Sequence, residues 1–235
     1  MKTIPRAERL IVALDVPSAE AAKSLVQRLG DSTSFYKIGL QLFMADGYFG
    51  LIDWLARQGK KVFVDLKFFD VPETVGAAVR GLRGRGVTFA TVHGNQPILE
   101  AAGKEKGEVK ILAVTALTSL DQGDLDDLGF QCDIQNLVLS RARRALEAGC
   151  DGVISSGLEA PLLKRELGGR LLVVTPGIRP VQNRPSDDQK RTVDVAQAFA
   201  NGADYIVVGR PIHQASDPRA AALGIQAIIA AVFPA

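Results

Sequence analysis

The sequence predicts an α/β protein folded as one (β/α)8 (TIM) barrel, a single domain over residues 1–235. Three observations predict it. Eight short apolar runs, most of them rich in Val, Ile and Leu, recur at spacings of roughly 20 to 35 residues. Helical segments separate most of these runs, and alternating strands and helices argue for parallel βα units. The length of 235 residues is ordinary for a closed barrel of eight such units. An open doubly wound sheet is the alternative. No G-x-G-x-x-G follows the first apolar run, which counts against the usual dinucleotide fold.

Residues 10–16 (LIVALDV) read as strand one, with Asp15 at its carboxyl end. Ser18 is an N-cap and Glu20 a first-turn acid for a helix that Gly30 ends. Residues 35–40 (FYKIGL) read as strand two and carry Lys37. A helix follows through Asp53, Trp54 and Leu55 and stops at Gly59, with Trp54 as packing against the barrel. Strand three begins with Val62, Phe63 and Val64 and runs into Asp65, Lys67 and Asp70. Asp65 and Lys67 are two apart, so an extended chain turns them to one face. Pro72 suits the first turn of a helix over 71–85, which Gly86 ends.

Residues 89–93 (FATVH) read as strand four, and GNQPILEAAGK as a loop and helix. Residues 109–117 (VKILAVTAL) read as strand five, ending at Thr118 and Ser119. A long helix over 133–148 puts Leu137, Val138, Ala142, Ala145 and Leu146 on one face. Strands six, seven and eight are 152–156 (GVISS), 171–175 (LLVVT) and 205–208 (YIVV). The last helix is rich in Ala and Ile.

Composition excludes several classes. Apolar residues make up 47% of the chain, ample for a core. Lys and Arg number 28 against 26 acidic residues, and there is no long basic run, so no nucleic-acid partner is expected. Cys132 and Cys150 have neither metal-ligand spacing nor a disulfide framework, and read as buried, reduced thiols. The apolar run near the N-terminus is too short for a signal or a membrane span, so a soluble cytoplasmic protein is expected. The sequence carries no H-E-x-x-H, phosphate-binding P-loop or EF-hand pattern.

In a barrel the strand carboxyl ends converge on one mouth. Asp15, Lys37, Asp65 and Lys67 all lie near the ends of the first three strands. Buried charges must be paired, and an alternating Asp/Lys array keeps such charges in a tight pocket. The opposite half of the mouth suits a phosphate. The loops after strands seven and eight are Pro176-Gly177-Ile178-Arg179 and Gly209-Arg210-Pro211. Glycine lets backbone N–H groups approach an anion, and the arginine fork matches phosphate oxygens. The long polar segment 179–192 reads as a binding loop, with Gln189 able to reach a ligand. His93 ends strand four with no nucleophile partner, and His213 reads as structural.

These residues resemble the orotidine 5'-monophosphate decarboxylase family over essentially the whole chain. The resemblance rests on LDV with Asp15, KIG with Lys37, DLKFFDVPETV, the LTS of 117–119, TPGIRP and GRPI. The D-x-K-x-x-D at 65, 67 and 70 is its most specific element. Phe69 stands where the family usually has a polar residue or His, and Glu73 where it often has Asn. The resemblance implies a (β/α)8 homodimer that needs no cofactor and no metal and acts on orotidine 5'-monophosphate in pyrimidine synthesis. It implies that Lys67 protonates C6 of the pyrimidine and that Asp65 lies beside the departing carboxylate. Lys37 and Asp15 would hold the ribose and brace the array. Asp70 and Thr74 would serve the neighbouring subunit's site. Thr118 would bond the ring amide, and Arg179, Arg210, the Gly209 N–H and Gln189 would bind phosphate.

Two other readings compete. A relative that acts on keto-sugar phosphates, a 3-keto-gulonate-6-phosphate decarboxylase or hexulose-phosphate synthase, would use Mg²⁺ and resembles one with a glutamate in strand two. This chain has Lys37 there, whose charge would repel a metal. A non-catalytic phosphosugar-binding barrel would use the arginines alone.

Overall fold

The computed structural model describes residues 4–179 and 191–234. Eight parallel strands close into a barrel in sequence order, with the first strand pairing the last. The strands are β1 (Leu10–Ala13), β2 (Phe35–Gly39), β3 (Lys61–Phe68), β4 (Val87–His93), β5 (Lys110–Val114), β6 (Gly152–Ile154), β7 (Leu172–Thr175) and β8 (Tyr205–Val208). The expected (β/α)8 architecture is the one observed.

Around the barrel lie α1 (Ala19–Leu29), α2 (Leu40–Phe43), α3 (Tyr48–Arg57), α4 (Pro72–Arg80), α5 (Gln96–Glu105), α6 (Gln122–Asp127), α7 (Ile134–Glu147), α8 (Ala160–Leu167), α9 (Val195–Ala200), α10 (Arg210–His213) and α11 (Pro218–Val232). Their ends follow local chemistry. The Ser18 hydroxyl accepts from the Ala21 N–H at 3.1 Å, and Gly30 ends α1 at a φ of 58°. Helix α4 starts on Pro72 but stops at Arg80, not at 85; Gly81 caps it, and Gly84 (φ 72°) turns the chain beyond it. Strand β5 is shorter than its apolar run. The chain leaves the ladder after Val114 and the mouth begins there. Among the described residues, no helix is long and apolar enough to cross a membrane.

Strand alternation sorts the core into two layers. Ile11, Phe35, Phe63, Phe89, Leu112, Val174, Tyr205 and Val207 form a separate buried cluster inside the barrel. Their neighbours Val12, Tyr36, Val64 and Ala90 join the larger core that also includes the helices' buried residues. Phe89 meets Tyr205 edge-on at 5.2 Å and Phe63 at 5.9 Å. Such pairs add about 0.5–1.5 kcal/mol each beyond their burial, so the interior has a stiff aromatic floor. Side chains repeat every two residues along a strand. The interior-facing position next above Phe35 is therefore Lys37, above Phe63 it is Asp65, and above Phe89 it is Thr91. Above Ile11 come Ala13 and then Asp15.

Candidate active site

At the carboxyl ends of the strands lies a cavity of about 500 Å³. Asp15, Lys37, Asp65, Lys67, Thr118, Arg179, Gly209 and Arg210 all line it. Eight of the eleven expected site residues therefore share one cavity. Asp70 and Thr74 are exposed and do not line it. Gln189 lies outside the described residues.

The array is a chain of alternating charges. Lys37 Nζ is 3.0 Å from Asp15 Oδ1 and 3.6 Å from Asp65 Oδ2. Lys67 Nζ donates to Asp65 Oδ1 at 2.9 Å. Strand register explains the meeting, since Ala13 pairs with Lys37 and Gly39 with Asp65. A Cβ at Gly39 would come within 3.2 Å of the Lys37 ammonium, so a side chain there would crowd the array. The Asp65 and Lys37 side chains are each only 12% exposed, against 32% for Lys67 and 44% for Asp15.

Burial disfavours both buried charges, yet the pairing wins. Burial pushes Lys37 down, but Asp65 and Asp15 outweigh it and hold its pKa above the ordinary lysine value. Burial pushes Asp65 up, but Lys37 and Lys67 outweigh it and hold its pKa below the ordinary carboxylate value. The cavity thus holds the Asp65 carboxylate against two lysine side chains at one wall.

Asp65 and Lys67 share a side, as their spacing suggested, but not through a regular strand. Between Val64 and Phe68 strand β3 advances four residues, while its partner β4 advances two, from Ala90 to Val92. Within this bulge Lys67 has a φ of 50°, the sole positive value for a non-glycine among the described residues. Bulges of this kind re-aim side chains beside sites, and the left-handed conformation is costly for a residue with a Cβ.

The opposite wall is built from loops. Gly177 turns the chain after β7 at a φ of 75°. The Arg179 N–H then donates to Val193 O at 3.0 Å, tying the two ends of the 180–192 segment together. Arg210 opens α10 directly after Gly209. Thr118 is buried, and the backbone before it is fastened by a side chain distant in sequence. Arg191 donates to Leu117 O at 2.8 Å and pairs with Glu159 at 2.6 Å. Both side chains are nearly inaccessible, at 9% and 4% exposed.

Of the two histidines, His93 ends β4 as expected and His213 departs from its reading. His213, read as structural, lines the cavity. Burial pushes its pKa down, Asp15 opposes that, and Arg210 and Lys37 reinforce it. His93 stays outside the lining and stacks on Phe69 with ring centroids 4.3 Å apart. Sequence reasoning missed Thr91, Arg191 and Glu159. The period of two from Phe89 could have found Thr91. Nothing periodic marks the other two.

Among the described residues, no cluster of three or more His, Cys, Asp or Glu is placed to hold a metal ion.

The chain resembles known proteins along its whole length. A family model described as "Orotidine 5'-phosphate decarboxylase / HUMPS family" matches residues 8–225. A protein of Methylococcus capsulatus named orotidine 5'-phosphate decarboxylase is 69% identical over 234 residues, covering 100% of this chain and 97% of that one. The protein of the same name from Stenotrophomonas maltophilia is 50% identical over 230 residues, covering 97% and 95%. Among solved structures, the orotidine 5'-phosphate decarboxylase of Lactobacillus acidophilus superposes with a TM-score of 0.83 at 36% identity, covering 94% of this chain and 99% of that one. That of Pyrococcus horikoshii gives 0.75 at 26% identity, covering 94% and 98%. With an Asp/Lys array at the mouth of an eight-stranded barrel, and relatives of this identity along its full length, the chain belongs to the orotidine 5'-phosphate decarboxylase / HUMPS family.

Proposed function

We propose that this chain decarboxylates orotidine 5'-monophosphate to uridine 5'-monophosphate in pyrimidine biosynthesis, using its own side chains alone. The observation that carries the reading is the Asp15–Lys37–Asp65–Lys67 array, in which each ammonium is within 3.6 Å of a carboxylate. The relatives' names support the substrate.

The chemistry follows from the array. The bond between C6 and the carboxylate breaks, CO₂ departs, and the electron pair stays on C6. The pyrimidine ring delocalises that pair poorly. The Lys67 ammonium stabilises the charge as it forms, then transfers a proton to C6. The resulting amine takes a proton back from water. Asp65 lies beside the substrate carboxylate. At about 4 Å and an effective dielectric of 20, two carboxylates repel by about 4 kcal/mol. Full relief of that repulsion at the transition state would be worth roughly three powers of ten in rate.

The remaining residues bind. Asp15 and Lys37 hold the ribose hydroxyls and brace the array. Thr118 bonds the ring amide. Arg179, Arg210, the Gly209 N–H and Gln189 hold the phosphate. Phosphate binding lies far from C6, and its energy can offset the cost of confining the reacting end.

We further propose that the working unit is a homodimer, with Asp70 and Thr74 reaching the neighbour's ligand. Both are exposed and absent from their own chain's cavity. Exposed apolar side chains surround them in sequence, with Phe69 at 65% and Val71 at 61%. Leu40 and Met44, after the adjacent strand β2, are 58% and 82% exposed. Mixing Lys67→Ala with Asp70→Ala protomers should restore about a quarter of wild-type turnover, since half the dimers then hold one intact site of two.

The reading is tested by following the loss of ultraviolet absorbance when orotidine 5'-monophosphate meets EDTA-treated protein. The expected result is fast, metal-independent turnover. Turnover that appears only when Mg²⁺ is restored, or none from folded protein, would overturn it.

A further inference from the structure

Thr91 on strand β4 touches both ends of the bulge that carries Asp65 and Lys67. Its side chain is completely buried. A threonine hydroxyl has one proton to donate and can accept in return. Here the proton goes to Asp65 Oδ1 at 2.9 Å. The oxygen accepts the Lys67 backbone N–H, also at 2.9 Å. Lys67 Nζ closes the circuit by donating to the same Asp65 oxygen at 2.9 Å. The circuit therefore runs from the Lys67 backbone through Thr91 to Asp65 and back to the Lys67 ammonium.

This geometry answers a specific need. The β3–β4 ladder is interrupted between Val64 and Phe68, so the Lys67 N–H has no place in a regular ladder. It is also the residue with the left-handed φ of 50°. A strained conformation persists only where its surroundings over-determine it. The Thr91 hydroxyl supplies the acceptor that the ladder lacks, on the strand next to the bulge. Its other bond turns the Asp65 carboxylate so that Oδ1 faces Lys67 while Oδ2 faces Lys37, 3.6 Å away.

We propose that Thr91 is a positioning residue for the proton donor. It fixes the backbone of Lys67 and the rotation of Asp65 together, and so sets where the ammonium stands relative to C6. Thr91 does not line the cavity. The inference rests on the reading of Lys67 as the proton donor.

The test compares Thr91→Val, which keeps the shape and removes the hydroxyl, with Thr91→Ser, which keeps the hydroxyl. Misplacing a reacting group by about 1 Å costs roughly 10²-fold. Thr91→Val should therefore lower kcat on orotidine 5'-monophosphate by about that factor, leaving KM and the affinity for uridine 5'-monophosphate nearly unchanged. Thr91→Ser should retain most of kcat. Amide hydrogen exchange at Lys67 supplies a readout independent of activity: it should speed up in Thr91→Val and stay slow in Thr91→Ser. Should Thr91→Val fail to fold, Thr91→Cys, close in size and a poor donor, takes its place with the same expectations. An unchanged kcat in Thr91→Val would overturn the proposal. So would equal losses of kcat, ligand affinity and stability in both variants, which is the pattern of a packing residue. If the wild-type protein does not act on orotidine 5'-monophosphate, the functional reading falls, while Lys67 exchange still decides whether Thr91 clamps the bulge.

Discussion

Asp65→Asn removes the carboxylate that stands between the Lys37 and Lys67 ammoniums, at 3.6 and 2.9 Å. At an effective dielectric of 20, those distances correspond to about 5 and about 6 kcal/mol of gross attraction. Most of that is offset by the desolvation of the three groups, and removing one partner of a buried pair costs about 3–5 kcal/mol net. Lys37 keeps Asp15 at 3.0 Å, and Lys67 is exposed enough to turn toward water. The expected loss of folding stability is therefore at the lower end, about 3 kcal/mol. Its pH dependence has a definite sign. Asp65 is held below the ordinary carboxylate pKa in the folded protein. A depressed group contributes its full stabilisation above the unfolded value of about 3.9 and loses it as pH falls through the folded value. Urea unfolding of wild type and Asp65→Asn should therefore differ by a constant amount from about pH 8 down to about pH 5, with the gap closing below about pH 4. A gap that already shrinks between pH 8 and pH 6 would refute the reasoning, because it would mean that Asp65 takes up its proton near neutrality.

Lys37→Glu would put a carboxylate against Asp15 and Asp65, both now within 3.6 Å of the Lys37 ammonium. It should abolish orotidine 5'-monophosphate turnover and should not create Mg²⁺-dependent activity on keto-sugar phosphates; a coupled assay for either product checks this. Arg191→Leu should cost about 3–5 kcal/mol in urea unfolding, because it strands the buried Glu159 carboxylate. The Arg191→Leu/Glu159→Leu double variant should recover most of that loss, and a double variant no more stable than the single would contradict the assignment.

Much of the site was legible because strand alternation and charge coincide. Lys37 and Asp65 stand two residues above Phe35 and Phe63, and Asp15 four above Ile11, so the face that fills the barrel also delivers the array. The apolar runs located all eight strands for the same reason. Other features depend on registers that no local pattern encodes. The role of Thr91 arises only because β3 slips two positions against β4, which a reading of Lys67 as extended strand could not contain. Arg191 and Glu159 are 32 residues apart in irregular segments, and their pairing follows from closure of the barrel. Helix α6 is six residues long, too short for a periodic signal, and rests on its Asp121/Asp124 capping box. Asp70 and Thr74 were named from family resemblance, and their work would be done on another copy of the chain.

The central claim is that the Lys67 ammonium delivers the proton while binding is carried elsewhere in the cavity. Its most direct test is Lys67→Ala, measured for both turnover of orotidine 5'-monophosphate and affinity for uridine 5'-monophosphate. Losing a positioned general acid typically costs about 10²–10⁴-fold, and losing its charge beside C6 adds to that. The account predicts at least a thousand-fold or so loss in kcat, with product affinity close to wild type. A Lys67→Ala protein that still turns over at near the wild-type rate would contradict it.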